Sequence, residues 1–99
     1  MAQEITVFNS DEFEKLILNR DVRISKALVS TVLKNLKGRK RHIHALSVFV
    51  EQEQTIYDIT VDRHEFAHTL KENLSIHEDN ELFEVCAEIM NALKDLEKK

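Results

Sequence analysis

The sequence predicts a single α+β domain over residues 1–99: a small, mostly antiparallel sheet of about three strands with helices packed on it. Three observations lead there. Apolar residues alternate in short β-branched stretches and recur every three or four positions elsewhere, the periods of strand and helix. Those stretches follow the order β-α-α-β-β-α-α, which is not the strict βα alternation of a parallel sheet. The chain of 99 residues, 42% hydrophobic and 32% charged, suits one core of an ordinary globular protein.

Each element has its own warrant. "EITVF" (4–8) is a short β-branched and aromatic run, hence a strand. In "NSDEFEKLILN", Asn9 and Glu12 have the spacing of a capping box, and Phe13, Leu16 and Ile17 share one helical face. "VRISKALVSTVLKNLKG" continues that period through Ile24, Leu28, Val29, Val32, Leu33 and Leu36. Its glycine, Gly38, stands where a helix C-terminus favours a left-handed residue. In "RHIHALSVFV", Ile43, Ala45, Ser47 and Phe49 alternate with His44, Leu46, Val48 and Val50, so both faces read as largely apolar. That predicts a strand that is central or covered on both sides. "EQEQ" is a polar turn, and "TIYDITV" sets Tyr57, Ile59 and Val61 against Ile56, Asp58 and Thr60, completing a hairpin. Two helices follow, from Asp62 to about Asn73 and from about Glu78 to Leu96. "LSIHEDN" makes the break, with Ser75 and Glu78 as a capping box.

Composition narrows the function. The start "MAQEITVF" has neither a basic nor an apolar segment of a secretory signal, and no apolar run is long enough to span a bilayer. A lone cysteine, Cys86, has no internal disulfide partner, which points to a reducing cytoplasm. One glycine is too few for a phosphate-cradling nucleotide loop or a serine-hydrolase elbow. Cys86 sits on an apolar stripe and reads as a core thiol. No cofactor is called for.

One motif carries possible chemistry. His64-Glu65-x-x-His68 resembles the zinc signature of metallopeptidases, and Glu88, twenty positions after His68, has a spacing similar to the third ligand of the thermolysin-like gluzincins. The resemblance implies zinc on His64, His68 and Glu88 with Glu65 as general base, in a zinc-dependent hydrolase. Helical periodicity points elsewhere. Phe66, Ala67, Leu70 and Leu74 define the buried face of that helix, with His64 and His68 on the polar side. Glu65 has a capping role with Asp62, and Glu88 falls among Glu81, Glu84, Asn91 and Asp95 on a solvated face. The histidines therefore read as surface residues.

Two surfaces remain. Lys37, Arg39, Lys40 and Arg41, close after Lys34, form a basic segment that His42 and His44 extend, so residues 37–44 suit an anion such as a phosphate backbone or an acidic protein. No aromatic residue interleaves with them for base stacking. Residues 1–50 hold nine basic and five acidic side chains, a balance of +4, and residues 51–99 hold five and thirteen, a balance of −8. In the last helix, Leu82, Cys86, Ile89, Leu93 and Leu96 make a heptad seam, flanked by Phe83 and Met90 on one side and Val85 and Ala92 on the other. So wide an apolar arc exceeds what one core needs, which makes that flank a contact for a protein partner or a second copy of the chain. The leading expectation is a small non-catalytic module acting as regulator, adaptor or inhibitor. A nucleic-acid or phosphate-binding regulator is the alternative.

Overall fold

The computed structural model describes residues 3–19 and 21–97. The elements are β1 (Gln3–Val7), α1 (Ser10–Leu18), α2 (Val22–Lys34), β2 (His42–Val50), β3 (Thr55–Asp62), α3 (Phe66–Asp79) and α4 (Phe83–Glu97), with a 3-10 turn at Arg63–Glu65. The α+β class and the element order are those expected.

The sheet order is β1-β2-β3. β2 and β3 form an antiparallel hairpin closed by the four residues 51–54, whereas β1 runs parallel to β2 from Gln3 against Leu46 to Val7 against Val50. The sheet is therefore mixed, not purely antiparallel, with the antiparallel pairing the longer of the two. The connection explains it: α1 and α2 carry the chain back to its starting edge, as a parallel crossover must.

The two apolar faces read into β2 have a different origin. Its pairing with β3 slips between His44 and Leu46, leaving Ala45 as an extra residue. Such a bulge switches the alternation by one position. Ile43 and Ala45 before it, and Leu46, Val48 and Val50 after it, thus all turn to the same side and are buried. They meet Ile5 and Val7 of β1, Val61 of β3 and the inner faces of the helices. The helices cover only that side. α2 packs on β2 and α3, and α4 packs on α3 and more lightly on α2. The molecule is 19 Å thick in its shortest dimension, which fits two layers and no third.

Helix ends follow local chemistry, with three departures from expectation. Asn9 accepts from the Glu12 N–H at 2.9 Å and Glu12 reaches back to the Phe8 N–H at 2.7 Å, so the first capping box forms. Asp21 caps α2 through the Arg23 N–H at 2.8 Å. α2 ends at Lys34, capped by Asn35, and Gly38 has no left-handed backbone. Asp62 makes no side-chain cap, because its carboxylate is taken by His42 across the hairpin. α3 continues through Ser75 to Asp79, so no second capping box divides it. Its buried side then runs Phe66, Leu70, Asn73 and His77, and the break comes at Glu81, which has φ 58°.

Candidate functional site

The outer side of the sheet carries the residues that the bulge and the alternation turn away from the helices. At the end near His42 that side is polar. The His42 Nδ1 pairs with Asp62. Ser47 donates its hydroxyl to Asp58 Oδ1 at 2.8 Å, and His44 Nε2 lies 3.0 Å from Ser47 Oγ and 3.3 Å from Asp58 Oδ1. These are the three residue types of a hydrolytic triad, but the wiring differs. The serine proton is committed to the carboxylate, and Asp58 contacts the same imidazole nitrogen that faces the serine. A triad needs the carboxylate on the other nitrogen and the histidine as proton acceptor. This cluster positions side chains across two strands and does not activate Ser47.

At the other end the same side is apolar. Thr6, Phe49 and Ile56 face one another across the three strands. Phe8 follows directly on β1, its carbonyl accepting from Gln52 N–H at 2.8 Å. Phe8 is 57% exposed and Ile56 58%. A sheet side left in water ordinarily alternates to polar residues. Here Phe49 and Ile56 lie side by side on two strands, with Phe8 just past the end of the third. The sequence pattern hid this group, because Phe8, Phe49 and Ile56 come from three separate segments.

The expected α4 surface is narrower than its sequence arc. Phe83 and Met90 are 63% and 54% exposed, while Ala92 is buried and Val85 packs partly against the core. Ala92 and Val85 thus belong to the packing with α2 and α3, and only the Phe83–Met90 flank faces outward. Cys86 lies on the buried stripe, and burial pushes its thiol above the ordinary range, with the charge of Glu78 adding to it. That is the opposite of what a nucleophilic cysteine requires.

The zinc-like motif is dispersed. His64 belongs to the 3-10 turn and His68 to α3, and each faces its own carboxylate: His64 Nε2 is 3.9 Å from Glu65 Oε1, and His68 Nε2 is 2.9 Å from Glu72 Oε1. Glu88 lines a separate groove on α4 with Lys26 and Lys34 of α2. Among the described residues no three His, Cys, Asp or Glu side chains are grouped to hold a metal ion.

Lys37, Arg39, Lys40 and Arg41 are all exposed. Arg39 and Arg41 line an open cleft of about 620 Å³ together with His42, Asp62, Arg63 and His64. Two residues here escaped the sequence reading. Arg63 lies outside the basic cluster, and His77, 1% exposed, is buried beneath α2 with Nδ1 donating to the Asn73 carbonyl at 2.9 Å and 3.3 Å from Ser25 Oγ.

The fold and these surfaces define a two-layer α+β domain with an uncovered sheet side. No family model, curated protein or solved structure matches the chain. No helix among the described residues is long and apolar enough to cross a membrane.

Proposed function

We propose that the chain is a non-catalytic binding module, a regulator, adaptor or inhibitor that docks a protein on the open side of its sheet. The observation that carries this reading is the apolar group on the outer side of the sheet: Phe49 of β2 paired with Ile56 of β3, and Phe8 just past the end of β1, with Phe8 and Ile56 exposed and, among the described residues, the helices on the other side. Contiguous apolar surface of this kind marks interaction sites in soluble domains, and aromatic residues are enriched at the centre of interfaces. The polar half of the same side supplies a rim of paired His and Asp residues, the usual surround of an apolar contact. The exposed Phe83 and Met90 are a second, smaller contact on α4, suited to a partner or a second copy. The catalytic readings have less support, since Ser47 is wired to the wrong atom and the zinc-like residues face their own neighbours.

The test is affinity capture from the native extract, with nuclease present, by the wild type and by Phe8→Asp with Ile56→Asp. Both positions are exposed, so folding should survive, as surface changes usually move stability by under about 0.5 kcal/mol. The wild type should retain a partner that the double variant loses. A partner kept by this variant and lost only by Phe83→Asp with Met90→Asp moves the site to α4. Capture that nuclease abolishes sinks the protein-docking reading.

A further inference from the structure

We propose that residues 37–41 are a preorganised phosphate-binding loop whose ligand is a nucleic-acid backbone, with Arg63 as the positioning residue that holds the loop from beneath. The inference does not rest on the docking reading, although His42 and Asp62 of the sheet's polar rim also line this cleft.

The loop has no regular secondary structure of its own, yet it is held at several points by one residue. The Arg63 backbone N–H donates to the Arg41 carbonyl at 2.7 Å. Its Nε donates to the Lys40 carbonyl at 2.7 Å and its Nη1 to the Leu36 carbonyl at 3.3 Å. The guanidinium stands 5.0 Å from the ring centroid of Phe66, which is wholly buried. Gly38 lies against the same guanidinium, where a Cβ would meet Nη2 at 3.4 Å, an ordinary contact distance. The effect on the outer surface is direct. Arg63 takes up loop carbonyls from below, so the loop presents cations outward.

Those cations lack counter-charges. Among the described residues, none of Lys37, Arg39, Lys40, Arg41 and Arg63 has a carboxylate within ion-pair distance. The acid that lines the cleft, Asp62, is engaged by His42. Arg63 Nη2 is buried with no hydrogen-bond partner. With the guanidinium of half-buried Arg63 set beneath the exposed Lys37, Arg39, Lys40 and Arg41, positive potential is concentrated at this end of the molecule.

The same geometry selects the ligand. The cleft is lined by Arg39, Arg41, His42, Asp62, Arg63 and His64, with no Phe, Tyr or Trp to serve as a stacking platform. Contacts are therefore with oxyanions. The four loop cations are strung over as much as about 13 Å of chain, more than one phosphate group occupies, so the ligand carries several phosphates. About four phosphates are neutralised.

A short DNA duplex read by fluorescence anisotropy tests this. Four phosphate contacts give a salt slope near −3.6, so the dissociation constant should rise about 150-fold between 50 and 200 mM salt. Arg39→Ala, Lys40→Ala and Arg41→Ala together should cut the slope to about −0.9, leaving a rise of about 3.5-fold. Arg63→Met should weaken binding at every salt concentration with the slope unchanged, because it disorders the loop without removing a phosphate contact. If Arg63→Met fails to fold, Arg63→Lys keeps the charge but cannot make the forked hydrogen bonds to the Lys40 and Leu36 carbonyls, and should give the same pattern. A slope that falls by a full unit in these variants overturns the positioning role. Inorganic tripolyphosphate distinguishes the source of the anion: binding it but not the duplex overturns the nucleic-acid assignment. No binding of either, a triple variant with the wild-type slope, or tighter binding of polyglutamate than of the duplex overturns the proposal.

Discussion

Replacing Glu81 with glycine should raise stability, and the backbone shows by how much. Glu81 sits in the left-handed region at φ 58° just beyond the cap of α3. It closes that helix as glycine usually does, with its N–H on the Glu78 carbonyl at 3.0 Å and the Leu82 N–H on the His77 carbonyl at 2.9 Å. An L-residue there costs about 1–2 kcal/mol, and glycine returns about 0.5–1 kcal/mol of that through the greater freedom of its unfolded chain. The charge at position 81 also acts on the start of α4, so the clean comparison is Glu81→Gly against Glu81→Ala, which lose the same carboxylate. The glycine variant should be the more stable by about 0.5–1 kcal/mol. With an unfolding entropy of about 2.1 cal/mol/K per residue, close to 0.2 kcal/mol/K for this chain, Tm should differ by about 2–5 °C. Thermal unfolding followed by circular dichroism at neutral pH measures it. An alanine variant that melts at or above the glycine variant would show that Glu81 stores no backbone strain.

Other perturbations test the packing and the caps. His77→Leu should cost about 1–3 kcal/mol in urea unfolding, because Ser25 and the Asn73 carbonyl lose a buried partner, and adding Ser25→Ala should recover part of it. Ile89→Asp should unfold the domain, since Ile89 is fully buried, whereas Phe83→Asp with Met90→Asp should keep its helical circular dichroism. Asp21→Ala should cost about 1 kcal/mol at neutral pH. The Arg23 side chain holds the Asp21 carboxyl below its ordinary value. That contribution is therefore present above about pH 4 and lost as the pH falls through the lower native value, so the two proteins should converge in acid. Cys86 should react with a thiol reagent only when denaturant opens the fold, and prompt labelling of the native protein would contradict its burial.

What the sequence made legible was whatever rests on local pattern. The capping box at Asn9, the hairpin at residues 51–54 and the face of β3 with Tyr57, Ile59 and Val61 each need only a few neighbouring residues. What it hid depends on partners distant in the chain. The bulge at Ala45 exists because β2 must keep Ile43 and Leu46 on one core, and alternation alone reads that as two apolar sides. Gly38 lies three residues past the Asn35 cap of α2 without a left-handed backbone, and its neighbour is Arg63, twenty-five positions later. Asp62 reads as a cap until His42 claims its carboxylate. The basic loop was visible as composition, but the residue that orders it was not, since nothing near Arg63 in sequence resembles a clamp.

The two proposed surfaces lie toward opposite ends of one strand, which makes their independence a prediction. Phe49 and its neighbours Thr6 and Ile56 sit near the hairpin end of β2, while the loop enters at His42. Seven residues of strand at about 3.3 Å each separate them by roughly 23 Å, more than twice the Debye length of about 8 Å at physiological salt. Exposed charges that far apart are largely screened. Phe8→Asp with Ile56→Asp should therefore leave duplex affinity within about twofold at physiological salt, though it adds two negative charges to the molecule. Arg39→Ala, Lys40→Ala and Arg41→Ala should likewise leave capture of a protein partner intact. Loss of both activities in either variant would mean that one ligand spans the whole outer side of the sheet. His42, which belongs to that side and also lines the cleft, would then be its midpoint and not a border.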